Sequence, residues 1–188
     1  RAFEGQWVDS GAIKKSSILE KFLICYEKYL INNASGLVIL DPSCYKYLKL
    51  TLKRKIPYKI IPTATDLSRY SSIKISKMKK KINFVFLGGA SFPYLPFEAL
   101  NLVKQLIDLG FDCYIDFINK GQNKLIYKIS DYINFPTSRL KIFESCHEEI
   151  PSHLIKYDCG LVFISNGDWL KMCSPTKIGE YLASGLFV

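Results

Sequence analysis

Lys177 and Glu180 lie three residues apart in the stretch Ser174-Pro-Thr-Lys-Ile-Gly-Glu-Tyr-Leu-Ala-Ser-Gly185. Ser174 is a good N-cap, and Pro175 fits a first helical position, where its missing N–H costs nothing. Thr176 and Lys177 then fall in the first turn. Free backbone N–H groups and the positive end of the helix dipole make such a start an anion site. A carboxylate at Glu180, on the same side of the helix, can accept hydrogen bonds from two neighbouring hydroxyls such as those of a ribose. Gly185 ends the helix. The same residues also fit an ordinary capped crossover helix with a solvated glutamate, and the pattern alone leaves both readings open.

Two further segments carry chemistry-bearing residues. Gly88-Gly89-Ala90-Ser91 follows an apolar run and precedes a helical pattern, a junction where glycine lets backbone approach a ligand closely. It is neither a G-x-G-x-x-G nor a Walker pattern, and a plain tight turn explains it equally. Cys146-His147-Glu148-Glu149-Ile150-Pro151 lacks the second histidine of His-Glu-x-x-His, because Pro151 occupies that place. It reads as a helix start with early carboxylates. Lys171 precedes Ser174 closely enough to reach a phosphate at the same helix end.

The elements that would position these residues alternate. A helical stripe spans 16–33, with Ser16 or Ser17 as N-cap. A short buried strand is expected at Gly36–Leu40, a helix from Asp41 to about Lys53, and a second strand at Lys59–Pro62. Residues 63–81 are polar and read as a hinge or linker, including the Lys77–Lys81 run as a solvated stretch. Strands then follow at Ile82–Leu87, Cys113–Ile118, Leu140–Phe143 and Gly160–Ile164, with a further one beginning at Leu186. Helices are expected at Tyr94–Leu109, Asn123–Tyr132, Glu148–Tyr157 and Pro175–Ser184. Alternating strands and helices require parallel pairing, so the fold class is α/β with a doubly wound parallel sheet. Ligands in such sheets bind at the carboxyl ends of the strands.

The chain has 188 residues, enough for one full core or one domain with part of another. It runs from Arg1 to Val188 with no initiator methionine and stops in an apolar run, so sequence is expected on each side. The net charge of +9 suits a phosphate-bearing or anionic-membrane partner, but the lysines are scattered, and no nucleic-acid partner is expected. The six cysteines form no Cys-x-x-Cys pair and mostly lie in apolar segments, as expected of buried reduced thiols in a cytoplasmic protein. Only His147 and His153 could assist them at a metal, and no metal site is expected. No apolar run is long enough to span a membrane.

The segment Ser174–Leu186 resembles the donor-site helix of GT-B glycosyltransferases, in the large retaining family (family 4-like, group 1) of bacterial polysaccharide enzymes. Tyr157-Asp-Cys-Gly-Leu-Val-Phe-Ile164, the His147–Pro151 segment and Ile61-Pro-Thr-Ala-Thr-Asp66 share that family's spacing. Arg1–Gly11 is similar to an Arg-Gly-Phe-Trp stretch late in its N-terminal domain. The resemblance implies that residues 1–66 end an acceptor domain and form the crossing segment, while 67–188 form a Rossmann-like donor domain. It implies that Glu180 binds the donor ribose and that Ser174, Pro175, Thr176 and Lys177 hold the diphosphate. Lys171 and Lys177 would stabilise the leaving group, Phe143 and Ser145 would flank the base, and Gly88, Gly89 and Ser91 would face the diphosphate. Met172 stands where the family often has a second glutamate that contacts the sugar. No basic residue occurs from 88 to 103, where one is common, and Phe187 replaces a usual proline.

The implied activity is transfer of a sugar from a nucleotide sugar to a glycan or lipid-linked acceptor in cell-envelope polysaccharide synthesis. It would need no metal or other cofactor and would take place in the cytoplasm, with peripheral membrane association left open. This stretch alone would be inactive, because most of the acceptor domain would lie upstream. A nucleotide-sugar epimerase on the same fold and a non-catalytic nucleotide-binding module are the alternatives, and Met172 is the one feature that favours the latter.

Overall fold

The computed structural model describes residues 3–50, 52–70, 80–166, 170 and 174–188. Two compact units emerge, one formed by 1–63 with 165–175 and the other by 64–164 with 176–188.

In the first unit, helices α1 (Phe3–Asp9) and α2 (Ile18–Asn33) precede a two-stranded parallel sheet. Ser17 caps α2 by accepting from the Glu20 N–H. Strand β1 (Leu37–Ile39) pairs with β2 (Tyr58–Ile60) across the helix α3 (Pro42–Lys49). The expectation of a buried strand at 36–40 holds on one side only. Ile39 is buried with Cys44 and Ile56, whereas Val38 is 69% exposed. A two-stranded sheet with α3 on it covers one face, so alternate side chains stay open. Helix α3 is also shorter than expected, ending at Lys49.

The second unit contains a four-stranded, fully parallel sheet in the order β5-β4-β3-β6. Its strands are β3 (Lys81–Leu87), β4 (Asp112–Ile118), β5 (Leu140–Phe143) and β6 (Cys159–Gly160). The crossovers are α4 (Pro96–Asp108), α5 (Asn123–Tyr132) and α6 (Ile150–Leu154), and α7 (Thr176–Ala183) leads on to Phe187, which bridges in parallel to Cys159. The chain starts at β3, moves outward through β4 and β5, then returns to the other side of β3. That reversal is where an open α/β sheet forms its ligand crevice.

Side-chain alternation explains why both faces are covered. Phe84 and Phe86 of β3 join Ile115 and Phe117 of β4 against Leu100, Val103 and Ile126 on one face. Val85 and Leu87 point the other way, into Ile150, Leu154 and Tyr181. Phe84–Leu87 of β3 therefore reads as a continuous apolar run, whereas β4 alternates and keeps Asp112 and Asp116.

Several elements differ from expectation. Helix α6 covers five residues, shorter than 148–157. Strand β6 pairs only at Cys159–Gly160 and not through Ile164, whose one bridge is antiparallel to Tyr94. Within the expected linker, Leu67–Arg69 forms a 3-10 turn capped by Asp66, and 71–79 lies outside the described residues. Lys81 is exposed as expected but belongs to no linker: it opens β3, with its ammonium 3.8 Å from the Tyr114 ring centre. Cys44 and Cys113 are buried as expected, but Cys25 and Cys146 are exposed. Among the described residues, no helix is long and apolar enough to cross a membrane.

Candidate functional site

At the end of β3 the chain turns through Gly88 with φ +121°, a conformation open to glycine. Its N–H bonds to the Ile118 carbonyl at 3.0 Å, tying the turn to the end of β4. A Cβ built on Gly88 would lie 3.5 Å from Lys177 Cε, an ordinary contact, so the backbone angle and not lack of space is what favours glycine here. The Gly89 N–H makes no hydrogen bond among the described residues. Gln122 holds the rest of the turn: its Oε1 accepts from the Ala90 N–H, and its Nε2 donates to Ser91 Oγ at 2.7 Å.

Opposite this turn, α7 places Lys177 in its first turn and Glu180 one turn on. Lys177 Nζ stands 3.8 Å from Glu180 Oε1. The Glu180 side chain is only 10% exposed, and its Oε2 is buried without a hydrogen-bond partner among the described residues. A buried carboxylate oxygen lacking a donor is costly to the folded state, by about 1–3 kcal/mol. Tyr70 lies in the same field: burial, then the Glu180 charge, raises its phenol above the ordinary range.

These groups line one cavity of about 320 Å³, bounded by Leu87, Gly88, Gly89, Ser145, Lys177 and Glu180 together with Ile118, Asn119, Lys120, Gln122, His147 and Ile150. On its outer wall Arg69 donates to His147 Nε2 at 2.6 Å and also to the His147 carbonyl. Ser145 donates to Glu149 at 3.0 Å, which lowers that carboxyl below its ordinary range. The lining thus combines two lysines, a free backbone amide, a helix start and one buried carboxylate. It can take a ligand with an anionic part and a vicinal pair of hydroxyls.

Of the residues singled out in the sequence, Gly88, Gly89, Ser145, Lys177 and Glu180 are brought together here. Ser91 is turned toward Gln122 and does not line the cavity. Phe143 packs against His153 at 5.1 Å between ring centres and is likewise outside the lining. Thr176 is exposed at the first residue of α7. Ser174 pairs its hydroxyl with that of Thr63, and α7 starts at Thr176, so Pro175 precedes the first helical position instead of occupying it. Lys171 and Met172 lie outside the described residues. Asn119, Lys120 and Gln122 were legible only as a strand-end loop, since nothing in their spacing marks the Gln122 latch. A larger concavity of about 510 Å³ in the first unit includes Lys28, Lys53 and Arg54. Its Arg54 guanidinium is already engaged by the carbonyls of Asn32 and Ala34.

No model of a known protein family matches the sequence, and no curated protein matches it. Solved structures do. The chain is similar to the pneumococcal O-GlcNAc transferase GtfA in complex with UDP and GlcNAc, at 12% identity and TM-score 0.63, covering 86% of this chain and 31% of that one. It is similar to sucrose-phosphate synthase from Thermosynechococcus elongatus, at 13% identity and TM-score 0.61, covering 84% and 42%. A variant of S. aureus TarM, in complex with fondaparinux, alpha-GlcNAc-glycerol and UDP, matches at 9% identity and TM-score 0.58, covering 72% and 27%. The chain thus spans less than half the length of each of these structures. The fold is that of the GT-B glycosyltransferases, an α/β Rossmann-like architecture with parallel sheets.

Proposed function

We propose that this chain carries the nucleotide-sugar donor site of a retaining GT-B glycosyltransferase. The observation that carries the reading is Glu180, a buried carboxylate that lines the same cavity as Lys177 and the Gly88–Gly89 turn and whose Oε2 has no hydrogen-bond partner among the described residues. Glu180 would accept both ribose hydroxyls. Lys177, the first-turn amides of α7 and the Gly89 N–H would hold the diphosphate, with Thr176 and Lys171 as further phosphate contacts. The Ser145–His147 loop would border the base. As the bond from the anomeric carbon to the diphosphate oxygen breaks, charge grows on the leaving group, and these fixed positive groups stabilise it without a metal. The acceptor would be a glycan or a lipid-linked glycan. GtfA and TarM, whose structures contain UDP, lend support at the level of fold.

The test is calorimetric titration of the full-length protein with UDP, GDP and ADP. One of them should bind, and Glu180→Ala should weaken that binding by about tenfold or more. Wild-type affinity in the variant would remove Glu180 from the site and sink the assignment.

A further inference from the structure

Tyr181 is fully buried and is the largest side chain in the second unit with no exposure. It follows Glu180 directly but points to the opposite purpose, into the sheet. Its ring lies over Gly160, and a Cβ built there would come within 2.6 Å of Cε2 and closer still to Cγ and Cδ2. Its hydroxyl accepts from the Leu87 N–H at 2.8 Å and faces the Leu161 carbonyl at 3.4 Å.

Those two partners belong together in a parallel ladder. Val85 pairs with Gly160, and the Leu161 N–H reaches the Val85 carbonyl at 2.8 Å. The register makes Leu87 N–H to Leu161 C=O the next rung. The tyrosine hydroxyl occupies that rung instead. It keeps both backbone groups satisfied while holding the ends of β3 and β6 one hydroxyl apart. This happens at the reversal point of the sheet, one residue before Gly88. The same helix that presents Lys177 and Glu180 therefore also sets where the Gly88–Gly89 turn stands.

We propose that Tyr181 is a positioning residue of this site, its hydroxyl serving as an inserted rung that keeps the crevice open and fixes the Gly88–Gly89 turn against Lys177 and Glu180. This rests on the donor-site reading only for the identity of the ligand. Without the hydroxyl, either the Leu87 N–H loses its partner or the strands close by one rung, and both displace Gly88. The phosphate side of the cavity would suffer, while the Ser145–His147 side, carried by β5 and α6, would not.

The experiment compares Tyr181→Phe with wild type in the full-length protein, titrating the preferred nucleoside diphosphate and the corresponding free nucleoside. Diphosphate affinity should fall by about tenfold and nucleoside affinity should stay within about twofold. Amide exchange should change at Leu87 and Gly88 but not at Phe84 or Val85. Unchanged diphosphate affinity, or equal loss for both ligands, would overturn the positioning role, because a merely structural residue affects both alike. If wild type binds no nucleoside diphosphate, the donor-site reading fails, and the exchange pattern alone decides the inserted rung. Should the Phe variant not fold, site-specific 3-fluorotyrosine at 181 weakens the hydroxyl as an acceptor with little change of shape. The same ratio of affinities should then move in the same direction, and a constant ratio would overturn the proposal.

Discussion

Replacing Glu180 by glutamine should weaken ligand binding and at the same time leave the protein as stable as before or more so. In the unliganded protein Glu180 Oε2 is buried and unpartnered among the described residues, a penalty of about 1–3 kcal/mol for a polar group and more for a charged one. Lys177 offsets part of this, but its Nζ is 3.8 Å away and its side chain is 25% exposed, so the ion pair is loose. Losing the carboxylate does not strand the lysine, because water reaches it. Glutamine removes the buried charge and keeps the shape, so stability should rise by about 0–2 kcal/mol. Binding moves the other way. Hydrogen bonds to a charged group contribute about 1.5–3 kcal/mol against about 1 kcal/mol for neutral ones, so two hydroxyls facing an amide should lose about 1–3 kcal/mol together. That corresponds to roughly 5- to 150-fold weaker binding. Urea denaturation gives the first quantity and calorimetry with the preferred nucleoside diphosphate the second. A variant destabilised by more than about 1 kcal/mol that binds normally would show Glu180 to be a structural residue.

Gly160→Ala should lose about 1–3 kcal/mol in urea denaturation, because its methyl would overlap a Tyr181 ring that has no open space to enter. Full stability in that variant would refute the tight approach of ring and strand. Gly179→Ala should be destabilised similarly, since the methyl would overlap the Thr65 hydroxyl, and adding Thr65→Ala should recover part of the loss. A double variant no better than the single one would place the strain elsewhere. Alkaline pH should unfold the second unit. Burial, followed by the hydrogen bond to Asp116 at 2.7 Å, raises the Tyr157 phenol, and burial raises that of Tyr181. With folded values above the unfolded one, their contribution is complete below about pH 10 and is lost as pH climbs past it. A urea midpoint that stays flat from about pH 10 to 11.5 would contradict this.

The sheet of the second unit was legible because burial on both faces leaves a plain trace. Phe84-Val85-Phe86-Leu87 sends alternate residues into opposite cores, and both cores demand apolar side chains. Helix α5 and strand β5 fall where periodicity places them, at Asn123–Tyr132 and Leu140–Phe143. Reading failed where a distant residue decides local structure. Gly160–Ile164 has the composition of a buried strand, yet the ladder to β3 ends at the Leu161 N–H, because the Tyr181 hydroxyl takes the next rung. Ser174 has the chemistry of an N-cap, yet its hydroxyl goes to Thr63, more than a hundred residues earlier. Gln122 has no motif, and only the fold shows it latching Ala90 and Ser91. The pattern among these failures has a physical cause. A crevice forms at the reversal of a parallel sheet because the connections from neighbouring strands leave toward opposite faces, and the residues that shape it are set by partners distant in the chain. That Lys177 and Glu180 share one side of a helix was readable because their three-residue spacing is local. The opening they face was not, because it is made by a tyrosine hydroxyl between two strands that the chain reaches 94 and 20 residues apart from it.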